Sequence, residues 1–170
     1  MKRSSIAHMN CSIARSLEFL GEWWTLMIVR DVFLGLARFD QIRADLGISR
    51  NILSDRLATL VEHGILRRTP YREAPVRYEY HLTDKGRDLM PVLLAFMRWG
   101  DRWLAGRNGP PMRVMHRGCR HEAGPVLACA HCGATIGTAD VALTKGPGWR
   151  DPARPPRRSP SARAPRHGRA

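Results

Sequence analysis

The chain has 170 residues, 44% of them hydrophobic, and a formal charge of +13. That length suits one domain with appendages, and the longest apolar runs, 26–29 and 92–97, fall far short of the ~20 residues a membrane-spanning helix needs. A basic balance favours polyanionic partners but does not separate DNA from RNA or an acidic membrane surface.

The charge is unevenly spread. Residues 1–104 hold 16 Lys+Arg against 12 Asp+Glu, residues 105–149 hold 5 against 2, and residues 150–170 hold 7 against 1. Nearly half the excess therefore sits in the last stretch. No apolar region follows Met1-Lys2-Arg3-Ser4-Ser5, so the sequence shows no secretory leader and reads as cytoplasmic. Four cysteines in such a setting point to metal or redox use before structural disulfides. There is no internal repeat.

In chain order, an arm at 1–10 precedes two helices over 12–20 and 22–34, broken at Gly21. The second is expected to end at Gly35. A short helix over 38–46 places Phe39, Ile42 and Leu46 on one side, and Gly47 turns the chain. Ser49 is a good N-cap for a helix running to Glu62. Leu53, Leu57, Leu60 and Val61 make its buried stripe, with Asn51, Asp55, Thr59 and Glu62 roughly opposite. The period then changes to two. Residues 65–69 and 76–82 read as an antiparallel hairpin joined by 70–75, with a basic tip. Thr83 caps a long helix to Leu104, with a bend expected at Pro91. Residues 105–111 read as a linker and 112–146 as a small Cys/His segment. Residues 147–170 form a basic Arg/Pro-rich tail with too few large apolar residues to fold alone.

The predicted fold is mainly α with a small β-hairpin wing. Helix, short helix, tight turn, capped helix and basic hairpin, in that order, make a winged helix-turn-helix, followed by a short Cys/His extension. In this layout the helix from Ser49 enters the major groove of double-stranded DNA, N-terminal end leading. Arg can bond guanine and Asn adenine, each through two hydrogen bonds. The candidate contacts are Gln41, Ser49, Arg50, Asn51, Ser54, Asp55 and Arg56 on the helices, with Arg67, Arg68, Arg72 and Arg77 of the wing along phosphates or a minor groove. Two other readings remain: a basic architectural or RNA-binding protein without sequence preference, and a zinc-dependent protein-interaction adaptor.

Residues 11–104 resemble the HxlR-type (MarR-like) regulators. The likeness rests on Cys11, the run 17–26 (Leu-Glu-Phe-Leu-Gly-Glu-Trp-Trp-Thr-Leu), 38–42 (Arg-Phe-Asp-Gln-Ile), 48–57 (Ile-Ser-Arg-Asn-Ile-Leu-Ser-Asp-Arg-Leu), the run 60–66, residues 76–86 ending Thr83-Asp84-Lys85-Gly86, and Trp99-Gly100. Glu22-Trp23 stands where the family has Gly/Asp-Lys and reads as a surface change. The resemblance implies a homodimeric transcription regulator that binds a near-palindromic operator. Physics supplies a separate motive for pairing, because a terminal helix bearing Trp99 and Trp103 is too apolar to stand exposed.

Cys11, at the start of the first helix with Arg15 one turn on, is a candidate redox or electrophile switch. Some regulators of the resembled family use a Cys in this place. Alternatively it is a small inert hydrophobe. Further on, His116-x2-Cys119 and Cys129-x2-Cys132 give two pairs with knuckle spacing that could close on one tetrahedral Zn²⁺, with His121 and His131 as rival ligands. No cofactor is required by this reading. No phosphate loop, triad or paired acid suggests catalysis, so no enzyme activity is expected.

Overall fold

The structure, a computed structural model, describes residues 5–150. Most of the basic tail read over 147–170, and the start of the arm, lie outside the described residues.

Four helices come first: α1 (Ser12–Leu20), α2 (Trp23–Phe33), α3 (Phe39–Leu46) and α4 (Arg50–Glu62). The hairpin β1 (Leu66–Glu73) and β2 (Val76–Leu82) follows, then α5 (Asp84–Arg87) and α6 (Met90–Leu104). Ile28, Val29 and Val32 of α2 meet Ile42 of α3, Leu53, Leu57 and Leu60 of α4, and Ile65, Leu66 and Leu82 around the hairpin in one core. The stripe on α4 is thus the inner face, and its opposite face is open to solvent. Trp23 points outward, 87% exposed, and Glu22 beside it is half-buried.

The helix-turn-helix is held by local chemistry. Gly47 ends α3 with φ of 63°, a left-handed conformation that glycine adopts without a Cβ clash. Ile48 then drops into the core, and the Ser49 hydroxyl accepts the Ile52 N–H at 3.3 Å to cap α4. Arg30 bonds both the buried Asp31 beside it and Asp45 of α3, tying α2 to the short helix.

The hairpin is longer than the sequence pattern suggests. Its first strand runs through Pro70 to Glu73, so the stretch expected as a loop over 70–75 shrinks to a turn at Ala74-Pro75. The ladder tolerates Pro70 because β1 is the outer strand and the register slips between Pro70 and Arg72. On its other side β2 gains a partner, since Tyr80 N–H donates to Ala37 O at 2.7 Å and Arg38 bridges Glu79.

The single helix expected from Thr83 to Leu104 is divided. Thr83 caps the short α5, its hydroxyl accepting Gly86 N–H at 3.1 Å and donating to Gly64 O at 2.6 Å. α6 begins afresh at Met90, with Pro91 in its first turn, where a missing N–H leaves no intrahelical bond unmade. The discontinuity therefore precedes Pro91 rather than bending a continuous helix at it.

Beyond α6, residues 106–150 carry two hairpin-like tips and short turns but no buried residue. Arg98 of α6 bonds the Pro125 carbonyl, and Asn10 pairs with the backbone of Arg150.

Candidate nucleic-acid interface

Two basic elements meet at the N-terminus of α3. Asp40 lies between Arg50 of α4, at 3.7 Å, and Arg77 of the wing, at 3.8 Å. Such long, exposed ion pairs contribute little to stability. They can nevertheless hold both guanidinium groups on one side of the molecule and release them to phosphate at little cost. Arg38 adds to the cluster, bonded to Glu79 at 2.9 Å and stacked 4.5 Å over the ring of Tyr71. Between these groups runs an open groove of about 310 Å³ lined by Phe39, Arg50, Tyr71, Arg77, Tyr78 and Tyr80. Burial pushes the Tyr80 hydroxyl above the ordinary phenol range, with the Arg68 charge acting against it.

Along the wing the cations crowd. Arg72 and Arg77 sit directly opposite each other in the ladder, where like charges destabilise a strand pair. A polyanion along the hairpin would relieve that repulsion. Arg67 donates to the Thr69 hydroxyl at 3.4 Å, and Arg68 lies 4.6 Å over the ring of Tyr78. All four wing arginines named from the sequence are exposed.

On α4, Arg50, Asn51, Ser54 and Asp55 are exposed and Arg56 is half-buried, so the residues expected to meet bases lie on the open face. Two of the expected DNA-facing residues have other work as well. The Ser49 hydroxyl caps α4, and Gln41 Oε1 accepts the Arg38 N–H at 3.0 Å at the start of α3. Arg38, Asp40, Tyr71 and Glu79 are not among the sequence candidates. Arg38 and Glu79 are 41 residues apart, and nothing local in either segment signals their pairing.

These features suit a winged helix-turn-helix presenting a cationic face, and comparison with known proteins decides the family. The model for the HxlR-like helix-turn-helix matches residues 19–108. The chain belongs to the HxlR-like helix-turn-helix family. The HTH-type transcriptional regulator Rv3095 of Mycobacterium tuberculosis is 45% identical over 139 residues, covering 82% of this chain and 88% of that protein. The transcription factor structure PA1607 superposes with a TM-score of 0.74 at 34% identity, covering 84% of this chain and all of that one. PA1374 of Pseudomonas aeruginosa gives 0.60 at 39% identity over 83% and 96%. This HxlR-like chain is thus a transcription regulator with a DNA-binding helix-turn-helix fold, not an enzyme. Residues 1–108 can supply at most 108 of the 139 positions matched in Rv3095, so that likeness continues into the C-terminal segment.

The cysteines are widely placed. Cys11 is the N-cap of α1 and half-buried. It opens on a cavity of about 500 Å³ whose far wall is Leu143 and Trp149 of the returning C-terminal segment. His116 Nδ1 stands 3.2 Å from Cys119 Sγ. The Cys129 thiol is held below its ordinary range by the backbone N–H groups of Cys132 and His131 and by the Cys132 side chain. The structure thus unites each pair expected from the sequence. Among the described residues it gathers no three His, Cys, Asp or Glu side chains closely enough to hold an ion. No helix of the described residues is long and apolar enough to cross a membrane.

Proposed function

We propose that this HxlR-like regulator acts in the cytoplasm as a homodimer on a near-palindromic operator, through a DNA-binding and dimerisation unit over 11–104. The observation that carries the reading is the convergence of Arg50 of α4 and Arg77 of the wing on Asp40. It sets the recognition helix and the wing side by side, so that one can lie in a major groove while the other follows phosphates. In this arrangement Arg50, Asn51, Ser54 and Asp55 read bases or position the helix, while Arg67, Arg68, Arg72 and Arg77 hold the backbone.

Pairing rests on α6, none of whose residues is fully buried within the chain. Phe96 is 69% exposed, Trp99 55% and Trp103 63%. With Val92 they recur at i, i+4, i+7 and i+11, one stripe of a helix. Ile13 and Leu17 of α1 are exposed as well. Joining these faces in a second copy removes a large apolar surface from water and sets two α4 helices about one DNA turn apart. Cys11, at the base of α1, is placed to transmit oxidation or electrophile addition to that interface.

Fluorescence anisotropy at fixed salt tests the reading, using the DNA upstream of the chain's own gene against a scrambled duplex. A preference of roughly a thousandfold or more is expected. Equal binding would favour an architectural or RNA-binding role. A monomeric mass by light scattering at micromolar concentration would refute the dimer. If Cys11→Ser lost DNA on diamide treatment as the unmodified chain does, Cys11 would not be the sensor.

A further inference from the structure

The two Cys/His tips of the C-terminal segment are the same structure built twice. His116 N–H donates to His121 O at 2.9 Å, and Cys129 N–H to Ala134 O at 2.8 Å. Arg120 N–H returns to His116 O and Gly133 N–H to Cys129 O, both at 2.8 Å. Ala123 N–H reaches Val114 O at 2.7 Å, and Ile136 N–H reaches Leu127 O at 2.8 Å. The bridges Met115–Glu122 and Ala128–Thr135 recur in the same place. The residue after each pair is left-handed, Arg120 at φ 60° and Gly133 at φ 74°. Arg120 is the one non-glycine residue with positive φ among those described, a conformation that L side chains adopt uncommonly. The sequence shows no repeat because only the paired positions matter: His116 matches Cys129, and Cys119 matches Cys132.

The equivalence reaches the donor atoms. Cys119 N–H points to His116 Nδ1 at 3.4 Å, and the repeated backbone bonds put the Cys132 N–H in the matching place beside Cys129. His116 therefore takes the place of a first cysteine, whereas His121 matches Ala134 and His131 matches Gly118. The 3.2 Å between His116 Nδ1 and Cys119 Sγ is close to the ~3.6 Å that separates nitrogen and sulfur ligands of one tetrahedral zinc. A second observation points the same way. The segment keeps its turns without burying any residue, and tips of this size are marginal without a core, a disulfide or a metal.

We propose that the two knuckles close on one Zn²⁺, held by His116 Nδ1 and the thiolates of Cys119, Cys129 and Cys132. The tips are separate half-sites here, and their closure is part of the proposal. The nine residues between Cys119 and Cys129 can span about 30 Å, so the chain permits it. Binding forms one nitrogen and three sulfur bonds to the ion and releases the protons of whichever thiols carried them. The site would carry a net charge of −1, offset by Arg113, Arg117 and Arg120 of the first tip.

The test is Co²⁺ and Zn²⁺ titration of the full chain under reducing conditions. Expected are one ion per chain, the visible bands of tetrahedral Co²⁺ with thiolate charge transfer, and protection of three of the four thiols from a thiol reagent until chelator is added. Cys129→Ser and His116→Gln should alter the Co²⁺ spectrum and weaken zinc binding at least tenfold, while His121→Gln and His131→Gln leave both unchanged. The helical circular dichroism of each variant reports separately that α1–α6 remain folded. Absence of a tetrahedral spectrum, protection of fewer than three thiols, or one ion shared by two chains would overturn the proposal. So would a loss on His121→Gln or His131→Gln that His116→Gln does not show.

Discussion

The winged-helix domain and the C-terminal segment hold their shapes by different means. Between Ala14 and Leu82 the chain buries thirteen apolar side chains, eight of them at 1% exposure or less, whereas residues 106–150 bury none. The first region is built by the hydrophobic effect, with hydrogen bonds fixing its corners. The second has the corners without the core: paired turns, repeated backbone bonds, and a few polar ties to α6 and the arm. An order that does not come from burial has to be supplied by local backbone chemistry, and by an ion if the tips close on one as proposed.

The largest expected effect tests that division. Leu57 is 1% exposed at the centre of the core, and Leu57→Ala should cost about 2–5 kcal/mol of domain stability. Gly86 is almost as sensitive, because a Cβ there would lie 2.2 Å from the Ile65 carbonyl oxygen, which is backbone and cannot turn aside. Chelator should do the reverse of Leu57→Ala, exposing residues 106–150 to protease while leaving the helical melting transition in place. If chelator lowered that transition as far as Leu57→Ala does, the two regions would be one cooperative unit and the contrast would fail.

A smaller effect separates reading from holding. Arg50→Ala should leave melting unchanged, cost about 1–3 kcal/mol on the preferred duplex and relax its preference. Replacing Arg67, Arg68 and Arg77 together by Ala should weaken every duplex alike, and lower the salt slope by about 0.9 for each phosphate no longer neutralised. Arg117→Ala, on the coreless segment, should leave the ranking of duplexes intact. Anisotropy across a salt series distinguishes these outcomes, and a change of ranking with Arg117→Ala would place the segment at the bases.

The same division explains what is legible in the sequence. The inner stripe of α4, its Ser49 cap and the Gly47 turn can be read there because burial periodicity and capping are local. The split of the last helix cannot, since Pro91 can begin a helix as well as bend one and the sequence does not say which. The strand through Pro70 escapes the pattern because an edge position, fixed by the partner strand, is what makes proline acceptable there. Asp40 is hidden for a similar reason: its neighbours Arg50 and Arg77 come from separate elements. In the C-terminal segment the His/Cys spacing is visible but its two-fold repetition is not, because backbone bonds rather than side-chain identities repeat.

The smallest effect concerns pH. Asp31 is fully buried on α2, and burial holds its carboxyl above the ordinary range despite the opposing hydrogen bond and charge of Arg30. Between about pH 4, where an unfolded aspartate ionises, and its raised folded value, the native chain retains a proton that the unfolded chain has lost. Through that window this group makes stability fall as pH rises. Asp31→Asn keeps an oxygen for Arg30 and places an amide where Oδ2 makes no hydrogen bond among the described residues. Its melting temperature should therefore vary less with pH than that of the unmodified chain over the same window. Parallel curves for the two chains would show that the fold does not discriminate between the charged and neutral acid. Residues 106–150 contain no buried acid, so a matching pH dependence in their protease protection would assign the acid response to something other than desolvation.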